Sequence, residues 1–185
     1  MNVPKTLIVG LGNYTMHNTR HSVGMLFVDR LAATHDAKWE SVRSVYGNVA
    51  QFRVQKANGI DHDLILLKPK LFMNVNGKSV GKTCAQYLNN NWREKNRLYL
   101  VHDELEKSFG KWTIKEKGSA SGHNGVRSVH QVLASQDMPR LRIGIGKPSN
   151  KSDVAAHVLQ GFNRDEREKL DAVLDACAKD LVARL

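Results

Sequence analysis

The sequence predicts a single α/β domain in which helices cover both faces of a β-sheet. Short apolar segments with strand character alternate with segments of helical periodicity along the chain, and this alternation is typical of the fold class. At 185 residues the chain is long enough to bury one core and short for two. No internal repeat, low-complexity tract or linker divides it.

The first predicted unit is a strand, a loop and a helix. Lys5 to Leu11 is a run rich in leucine and β-branched residues that ends at Gly10-Leu11-Gly12, as a buried strand entering a turn does. Ser22 is a predicted helix cap. The apolar residues that follow it have helical spacing: Val23, Leu26, Phe27 and Leu31.

The middle of the chain alternates in the same way. Val45 to Val54 and Asp63 to Leu67 are predicted strands, separated by a turn at Asn58-Gly59. Asn76 to Leu88 has helical periodicity. Arg97 to Val101 is a short apolar strand that ends at the polar residues His102-Asp103-Glu104.

The C-terminal part completes the pattern. Lys111 to Lys115 alternates like an exposed strand, Asn124 to Leu133 is a predicted helix, and Arg140 to Gly144 is a predicted strand. Asn163 and Glu166 have the spacing of a capping box. The helix that they begin has one apolar face, formed by Leu170, Val173, Leu174, Cys177 and Leu181.

The composition is that of an ordinary globular protein that does not enter a membrane. The chain has 41% hydrophobic and 25% charged residues, and no apolar run approaches the roughly 20 residues of a membrane span. Met1 to Lys5 leave no room for a presequence, so we expect a cytoplasmic protein, or a mitochondrial-matrix protein whose presequence has been removed. Cys84 and Cys177 fit neither a disulfide framework nor a zinc site and are predicted to be buried thiols.

The charge distribution indicates a polyanionic partner. The net charge is +10, and the segment from Glu106 to Lys147 has eight Lys and Arg against three Asp and Glu, a net charge of +5. Charge alone does not distinguish among RNA, DNA and an anionic membrane. A generally basic, solvated surface is the alternative.

Several short motifs are incomplete. Gly10-Leu11-Gly12 lacks the third glycine of a dinucleotide-binding loop, and Gly77 to Gly81 encloses three residues where a P-loop has four. Ala120 stands where a nucleophile elbow has serine. His102-Asp103-Glu104 has no Pro-Cys-x-x-Cys to complete a zinc deaminase site. The sequence therefore favours none of these four enzyme types.

Polar residues with catalytic capacity follow the predicted strands or lie in the loops next to them. Open α/β sheets bind ligands at the carboxyl ends of their strands. A histidine beside an aspartate can act as a general base on water, and an asparagine can stabilise an oxyanion or bind a peptide amide. Taken singly, such residues are more often turn, cap or surface residues. The candidates are Asn13, His21, Asn74, Asp103, His123 and Asn124.

Seven segments stand out by their residue types and their order. They are Gly10-Leu-Gly-Asn13, Thr19-Arg-His21-Ser-Val-Gly24, Phe72-Met-Asn74, Gly77-Lys78, His102-Asp-Glu-Leu105, Gly122-His-Asn-Gly125 and Arg140-Leu-Arg-Ile-Gly-Ile-Gly146. Together they resemble the signature blocks of the bacterial-type peptidyl-tRNA hydrolases, over about residues 6 to 175. The resemblance implies one α/β domain, residues 1–185, with a mixed, twisted sheet.

The resemblance also implies roles for individual residues. His21 matches the base that activates water, Asp103 matches its orienting partner, and Asn13 matches the residue that senses the peptide and the ester. Lys115 and Arg142 match basic positions that contact the tRNA 5′-phosphate, and both lie in the +5 segment. Roles in binding the peptide and the terminal adenosine fall to Phe72, Asn74, His123 and Asn124.

One loop departs from the bacterial pattern. Tyr14 to Asn18 makes the Asn13–His21 spacing two residues shorter, and this short loop is similar to that of animal members. Met16 stands where bacterial members place a tyrosine, five residues before the histidine, so we assign no role to that position.

The activity that the resemblance implies is hydrolysis of the ester in peptidyl-tRNA by a monomer, without metal or cofactor. The partner is the acceptor stem and 3′ end of the tRNA. One alternative is an RNA-binding module like some plant-organelle relatives, although the complete set Asn13, His21 and Asp103 favours the enzyme. The other is a nucleotide-binding Rossmann enzyme, which the incomplete glycine motifs disfavour.

Overall fold

The computed structural model describes residues 3–56 and 59–185. Within those ranges the chain forms seven strands and five α-helices. The strands are β1 (Lys5–Gly10), β2 (Glu40–Val42), β3 (Gly47–Gln55), β4 (Asp61–Pro69), β5 (Leu98–Glu104), β6 (Trp112–Lys115) and β7 (Arg140–Gly144). The helices are α1 (Val23–Thr34), α2 (Asn76–Leu88), α3 (Asn124–Leu133), α4 (Val154–Leu159) and α5 (Arg164–Ala183).

All seven strands belong to one mixed sheet, in the order β2-β3-β4-β1-β5-β7-β6. The central strands β4, β1, β5 and β7 run parallel to one another. The outer strands β2, β3 and β6 are antiparallel to their neighbours. The carboxyl ends of the four parallel strands therefore lie along one edge of the sheet.

Helices cover both faces of the sheet, as the sequence predicted. One apolar cluster joins the sheet to α1 and α5, and it contains Ile8, Phe27 and Leu174. The second joins the opposite face to α2 and α3, and it contains Val9, Cys84 and Val129. Since successive strand residues point to opposite faces, β1, β4 and β5 supply side chains to both clusters. The predicted α/β class with a mixed, doubly covered sheet is confirmed.

Several predicted elements are confirmed in detail. The predicted bounds of α2, α3 and β7 agree with the structure. The capping box at the start of α5 is also present, because Asn163 Oδ1 accepts from Glu166 N and Glu166 Oε2 accepts from Asn163 N, each at 2.8 Å. Both cysteines are buried and free. In the predicted Asn58-Gly59 turn, Asn58 lies outside the described residues, whereas Gly59 has a φ of +76°.

Other local predictions were wrong. Ser22 occupies the cap position of α1 without a side-chain capping bond, because its hydroxyl instead accepts from Asn13 N at 3.1 Å. Val45 lies in a 3₁₀ turn before β3. The strand predicted from Lys111 to Lys115 is present as β6 (Trp112–Lys115), but it is half-buried rather than exposed because α5 packs over it, with Trp112 Nε1 donating to Asp180 Oδ2 at 3.0 Å.

Two short elements were not predicted, and one strand is longer than expected. β2 and α4 have three and six residues, too few to give a clear periodicity. β5 continues through Glu104, so His102 and Asp103 are strand residues rather than loop residues. Among the described residues, no helix is both long and apolar enough to cross a membrane.

Candidate active site

Four of the candidate residues meet at the carboxyl edge of the sheet. Asn13 lies in the loop after β1, and Asp103 lies near the end of the adjacent strand β5. His21 is in a one-turn 3₁₀ helix that leads into α1, and His123 directly precedes α3. This is the edge at which open α/β sheets bind ligands.

Two glycines allow the segment of His21 to approach the sheet closely. A Cβ atom on Gly24 would lie 2.2 Å from the carbonyl oxygen of Val101, and one on Gly10 would lie 2.3 Å from the carbonyl oxygen of Gly24. Side chains do not tolerate such distances, so α1 begins directly against the backbones of β1 and β5. The result is contact between His21 and Asp103, which are 82 positions apart in sequence.

The residue before His21 fastens this turn to the C-terminal helix. Arg20 Nη2 donates to Glu166 Oε2 at 2.7 Å, and its Nη1 donates to the carbonyl oxygen of Gly161 at 2.6 Å. Its guanidinium also lies 5.5 Å from the ring centre of Phe162. Both charged groups are largely buried, and a buried charge is stable only when it is paired. The position of His21 therefore depends on the start of α5.

His21 and Asp103 form a buried histidine–carboxylate pair. His21 Nδ1 lies 2.9 Å from Asp103 Oδ1 and 3.0 Å from Oδ2. A carboxylate accepts hydrogen bonds, so Nδ1 carries the hydrogen and donates it. In the neutral ring the lone pair is then on Nε2, which is the atom free to accept a proton.

His123 donates a second hydrogen bond to the same carboxylate. Its Nε2 lies 2.8 Å from Asp103 Oδ1, and its Nδ1 accepts from Val126 N at 3.2 Å as the N-cap of α3. An imidazole nitrogen that accepts a backbone N–H has no hydrogen, so the hydrogen of His123 is on Nε2. Asp103 thus receives donors from two imidazoles.

These contacts shift the pKa values at the site. Burial would raise the pKa of Asp103, but His123 and then His21 outweigh it and hold that pKa well below its usual range. Burial would lower the pKa of His21, but the hydrogen bond and charge of Asp103 raise it above 6.5. Burial and the neighbouring His123 hold the pKa of His102 well below 6.5, so that ring is neutral.

Asn13 keeps an amide N–H group that no other described residue binds. Its side-chain oxygen accepts from the backbone N–H of Met73 at 2.7 Å. This bond orients the amide with its oxygen toward the loop after β4. Its own backbone N–H is held by Ser22. Among residues 3–56 and 59–185, its Nδ2 makes no hydrogen bond, so this donor is available to a ligand.

Asn76 holds the surrounding loops, a role that no sequence pattern indicates. Its side-chain oxygen accepts from Gly12 N at 3.1 Å, and its Nδ2 donates to the carbonyl oxygens of Phe72 and Leu71 at 2.9 and 3.3 Å. The side chain is fully buried. It thus joins the loop of Asn13 to the loop after β4, although its sequence position fits an ordinary helix start.

The remaining candidates for binding the peptide and the terminal adenosine lie around the rim of the candidate active site. Phe72 and Asn74 belong to the exposed loop after β4, and Phe72 is 67% exposed. Asn124 is exposed at the first position of α3. With His21, Asp103 and His123, it lines a cavity of about 520 Å³. Met16, in the short loop, is also exposed at this edge.

Lys115 and Arg142 lie on neighbouring strands beside this cavity. Arg142 pairs with Thr113 in the β6–β7 register, two positions from Lys115. Arg142 also lines the cavity, but its guanidinium is bound by Glu104 at 2.8 Å and by Thr113 at 3.2 Å. Glu104 therefore neutralises part of the positive charge that Arg142 offers to an anion.

Arg140 is a second buried arginine that the sequence did not single out as functional. It is 2% exposed, its Nη2 donates to the carbonyl oxygen of Gly118 at 2.9 Å, and its Nε has no partner among the described residues. Burial and the charge of Arg142 lower its pKa. It supports the loop that ends at His123 and lines the same cavity as that residue.

His21, Asp103 and His123 are also the described residues that could hold a metal ion. One ligand atom from each lies within 4.8 Å of the others. In the observed arrangement, however, both imidazole N–H groups point at the carboxylate. A metal would have to replace these two hydrogens and reorient the rings to reach bond lengths of about 2.0–2.2 Å. The observed geometry is that of a hydrogen-bonded network.

The sequence and the structure match known proteins over most of the chain. A family model described as Peptidyl-tRNA hydrolase matches residues 7–185. A Mus musculus protein named "Probable peptidyl-tRNA hydrolase" is 40% identical over 178 residues, which are 95% of this chain and 82% of the relative. An Akkermansia muciniphila "Peptidyl-tRNA hydrolase" is 38% identical over 176 residues, which are 94% and 86% of the two chains. The crystal structure of peptidyl-tRNA hydrolase from Acinetobacter baumannii gives a TM-score of 0.83 at 32% identity and covers 99% of this chain and 90% of that one.

Proposed function

The chain belongs to the peptidyl-tRNA hydrolase family, and we propose that it hydrolyses the ester between a nascent peptide and the 3′ end of its tRNA by activating water with His21. The observation that carries this mechanism is the pair of His21 and Asp103. With Nδ1 held by the carboxylate, Nε2 is the free basic atom of the ring.

In the proposed reaction, His21 Nε2 takes a proton from water while the water oxygen bonds to the ester carbonyl carbon. Asp103 stabilises the imidazolium that forms. The carbon–oxygen bond to the ribose then breaks, and the imidazolium returns its proton to the leaving ribose oxygen. The products are the peptide acid and free tRNA, and the histidine ends neutral.

Asn13 is the proposed donor to the oxyanion and to the substrate peptide. Because Met73 N–H occupies its side-chain oxygen, the amide is held in one orientation and its Nδ2 is left as the donor. A preorganised donor at the position of developing charge is worth about 10² or more in rate. A general base contributes about 10²–10⁴. We propose that these effects are sufficient for an activated ester and that no metal or cofactor takes part.

The tRNA is proposed to bind on the side of β6 and β7. Lys115 and Arg142 would contact the 5′-phosphate of the acceptor stem and thereby position the duplex without reading its bases. Glu104 keeps Arg142 oriented in the free protein. The cavity beside His123 and Asn124 would hold the terminal adenosine, and Phe72 and Asn74 would contact the peptide.

Turnover of N-acetyl-aminoacyl-tRNA by the purified protein, with a chelator present, tests the proposal. We expect free tRNA and the N-acetyl amino acid to appear at equal rates, and we expect His21→Ala to lack this activity. Loss of turnover on chelation would contradict a metal-free reaction. Turnover that survives in His21→Ala would reject this residue as the base.

The same assay separates the enzyme from an RNA-binding module, which would bind the tRNA without releasing the amino acid. A nucleotide-binding enzyme would instead be stabilised against heating by nucleotides. We further propose that the chain acts as a monomer in the cytoplasm, with the mitochondrial matrix as the alternative location.

A further inference from the structure

Exposed aromatic and basic side chains are concentrated on one side of the candidate active site. In the described part of the chain, eight large hydrophobic side chains are exposed, and five of them lie in the segments after β1, before β3 and after β4. Those five are Tyr14, Met16, Tyr46, Phe72 and Val75. We refer to Tyr14, Tyr46, Lys70, Phe72 and Lys78 as the aromatic–basic strip. Apolar side chains grouped in this way mark a binding surface more often than scattered ones do.

The strip is a continuous surface that begins at Asn13. Phe72 directly precedes Met73, whose N–H binds the Asn13 side chain. Lys70 Nζ lies 5.5 Å from the ring centre of Tyr14, and Lys70 N donates to the carbonyl oxygen of Tyr46 at 2.8 Å. Lys78 Nζ lies 4.5 Å from the ring centre of Tyr46. The strip therefore leads from the catalytic residues to the loop before β3.

The far end of the strip is positively charged and concave. A cavity of about 540 Å³ is lined by Arg43, Tyr46 and Lys70, among others. Lys70 Nζ donates to Ser41 Oγ at 2.9 Å. Within residues 3–56 and 59–185, no carboxylate pairs with Arg43, Lys70 or Lys78. These charges are thus free to attract an anionic group, and the rings offer apolar contact beside them.

The order of the strands shows which part of the substrate reaches this end. Asp103 is on β5, and three strand spacings separate β5 from β3, next to Tyr46. At about 4.8 Å per spacing the distance is about 14 Å, or about four residues of extended peptide. Lys115 and Arg142 lie on β6 and β7, on the opposite side of β5. The tRNA and the peptide would therefore leave the ester in opposite directions.

We propose that the aromatic–basic strip binds the nascent peptide upstream of the ester and favours acidic side chains about four residues from the esterified one. This rests on the proposed function, because it names the part of the peptidyl-tRNA that this surface receives. Apolar side chains of the peptide contact the rings of the strip, while an aspartate or glutamate reaches Lys70 or Lys78. RNA is the alternative occupant.

The test compares two peptidyl-tRNAs that carry the same six-residue peptide, except that the fourth residue from the ester is glutamate in one and lysine in the other. We expect kcat/KM to be higher for the glutamate substrate, by about two- to fivefold for each exposed lysine that it contacts. Added salt should reduce this ratio. N-acetyl-aminoacyl-tRNA, which is too short to reach Tyr46 and the two lysines, is the reference substrate.

Lys70→Ala and Lys78→Ala should each reduce the ratio, and the double variant should bring it close to one. Lys95→Ala is the matched control, because Lys95 is exposed near the start of β5, at the opposite edge of the sheet. Its ratio should equal that of the unaltered protein. The affinities of the same two six-residue peptides without tRNA, measured by fluorescence anisotropy, give the same comparison without any turnover.

A ratio near one in the unaltered protein, or a ratio that Lys70→Ala and Lys78→Ala leave unchanged, would overturn the proposal. If Lys70→Ala and Lys78→Ala reduce kcat/KM by the same factor on the reference substrate, the proposal would also be overturned. The two lysines would then be assigned to RNA binding. Absence of turnover of the reference substrate would instead reject the proposed function. The anisotropy comparison would then still decide whether the strip prefers acidic peptides.

Discussion

Replacing Asp103 with asparagine should separate the catalytic base from the charge that supports it. The substitution nearly preserves the size of the side chain and removes the negative charge located 2.9 and 3.0 Å from His21 Nδ1. A hydrogen bond to a charged group contributes about 1.5–3 kcal/mol. If the transition state loses that much stabilisation, kcat should fall by about 10- to 160-fold at a pH where the base is neutral.

The pH dependence should change in a defined direction. In the unaltered protein, kcat should rise with pH as His21 loses its proton, with a midpoint above 6.5 because the bond and charge of Asp103 outweigh the effect of burial on the pKa. In Asp103→Asn the charge is absent and burial remains, so the midpoint should move down. The difference in kcat between the two proteins should therefore be smaller at low pH than at high pH.

Single-turnover hydrolysis of N-acetyl-aminoacyl-tRNA from about pH 5 to about 9 measures both the loss in kcat and the shift of the pH midpoint, since this range spans ordinary histidine titration. His21→Ala provides the control, with an expected loss of at least about 10² in kcat and nearly unchanged tRNA binding. The double variant should be little worse than His21→Ala, because residues that act as a unit lose their contributions together. An upward shift of the midpoint, or losses that simply multiply, would refute the reasoning.

Three further predictions concern neighbouring groups. His123→Ala should move the midpoint of kcat upward, opposite to Asp103→Asn, because a carboxylate with one donor fewer stabilises the imidazolium of the base more strongly; an unchanged pH profile would contradict this. Asn13→Ala should narrow the difference in kcat/KM between N-acetylated and free aminoacyl-tRNA, and an unchanged ratio would remove Asn13 from substrate sensing. Lys115→Ala and Arg142→Ala should raise KM for full tRNA substrates more than for a short CCA-peptide mimic. Equal losses on both substrates, or losses indifferent to salt, would count against the phosphate contact.

The sequence predicts the elements of this fold best where the pattern is long. α2 and α3 have enough turns for their apolar positions to repeat. In β7 the apolar residues Leu141 and Ile143 alternate with two arginines, which is the period of a strand. β2 and α4 are too short to show a period. β5 ends later than predicted because His102 and Asp103 are buried polar residues, whose place in a strand depends on partners elsewhere.

The candidate site is less accessible to sequence reasoning, because its contacts join distant parts of the chain. Periodicity placed His21 and Asp103 near the edge of a sheet, but only the family resemblance paired them. Asn76 was predicted merely as the first residue of a helix, and its bond to Gly12 spans 64 positions. The hydrogen on His123 Nε2 follows from Val126 N, which no sequence pattern specifies.

The bond between Arg20 and Glu166 bears on when a newly made copy of this protein can act. The turn that carries His21 is fastened by a residue that the ribosome adds 146 positions after Arg20. A growing chain that stops short of Glu166 lacks the carboxylate that pairs with this largely buried guanidinium. The turn that carries His21 therefore gains this ion pair only after the first turn of the final helix has been translated.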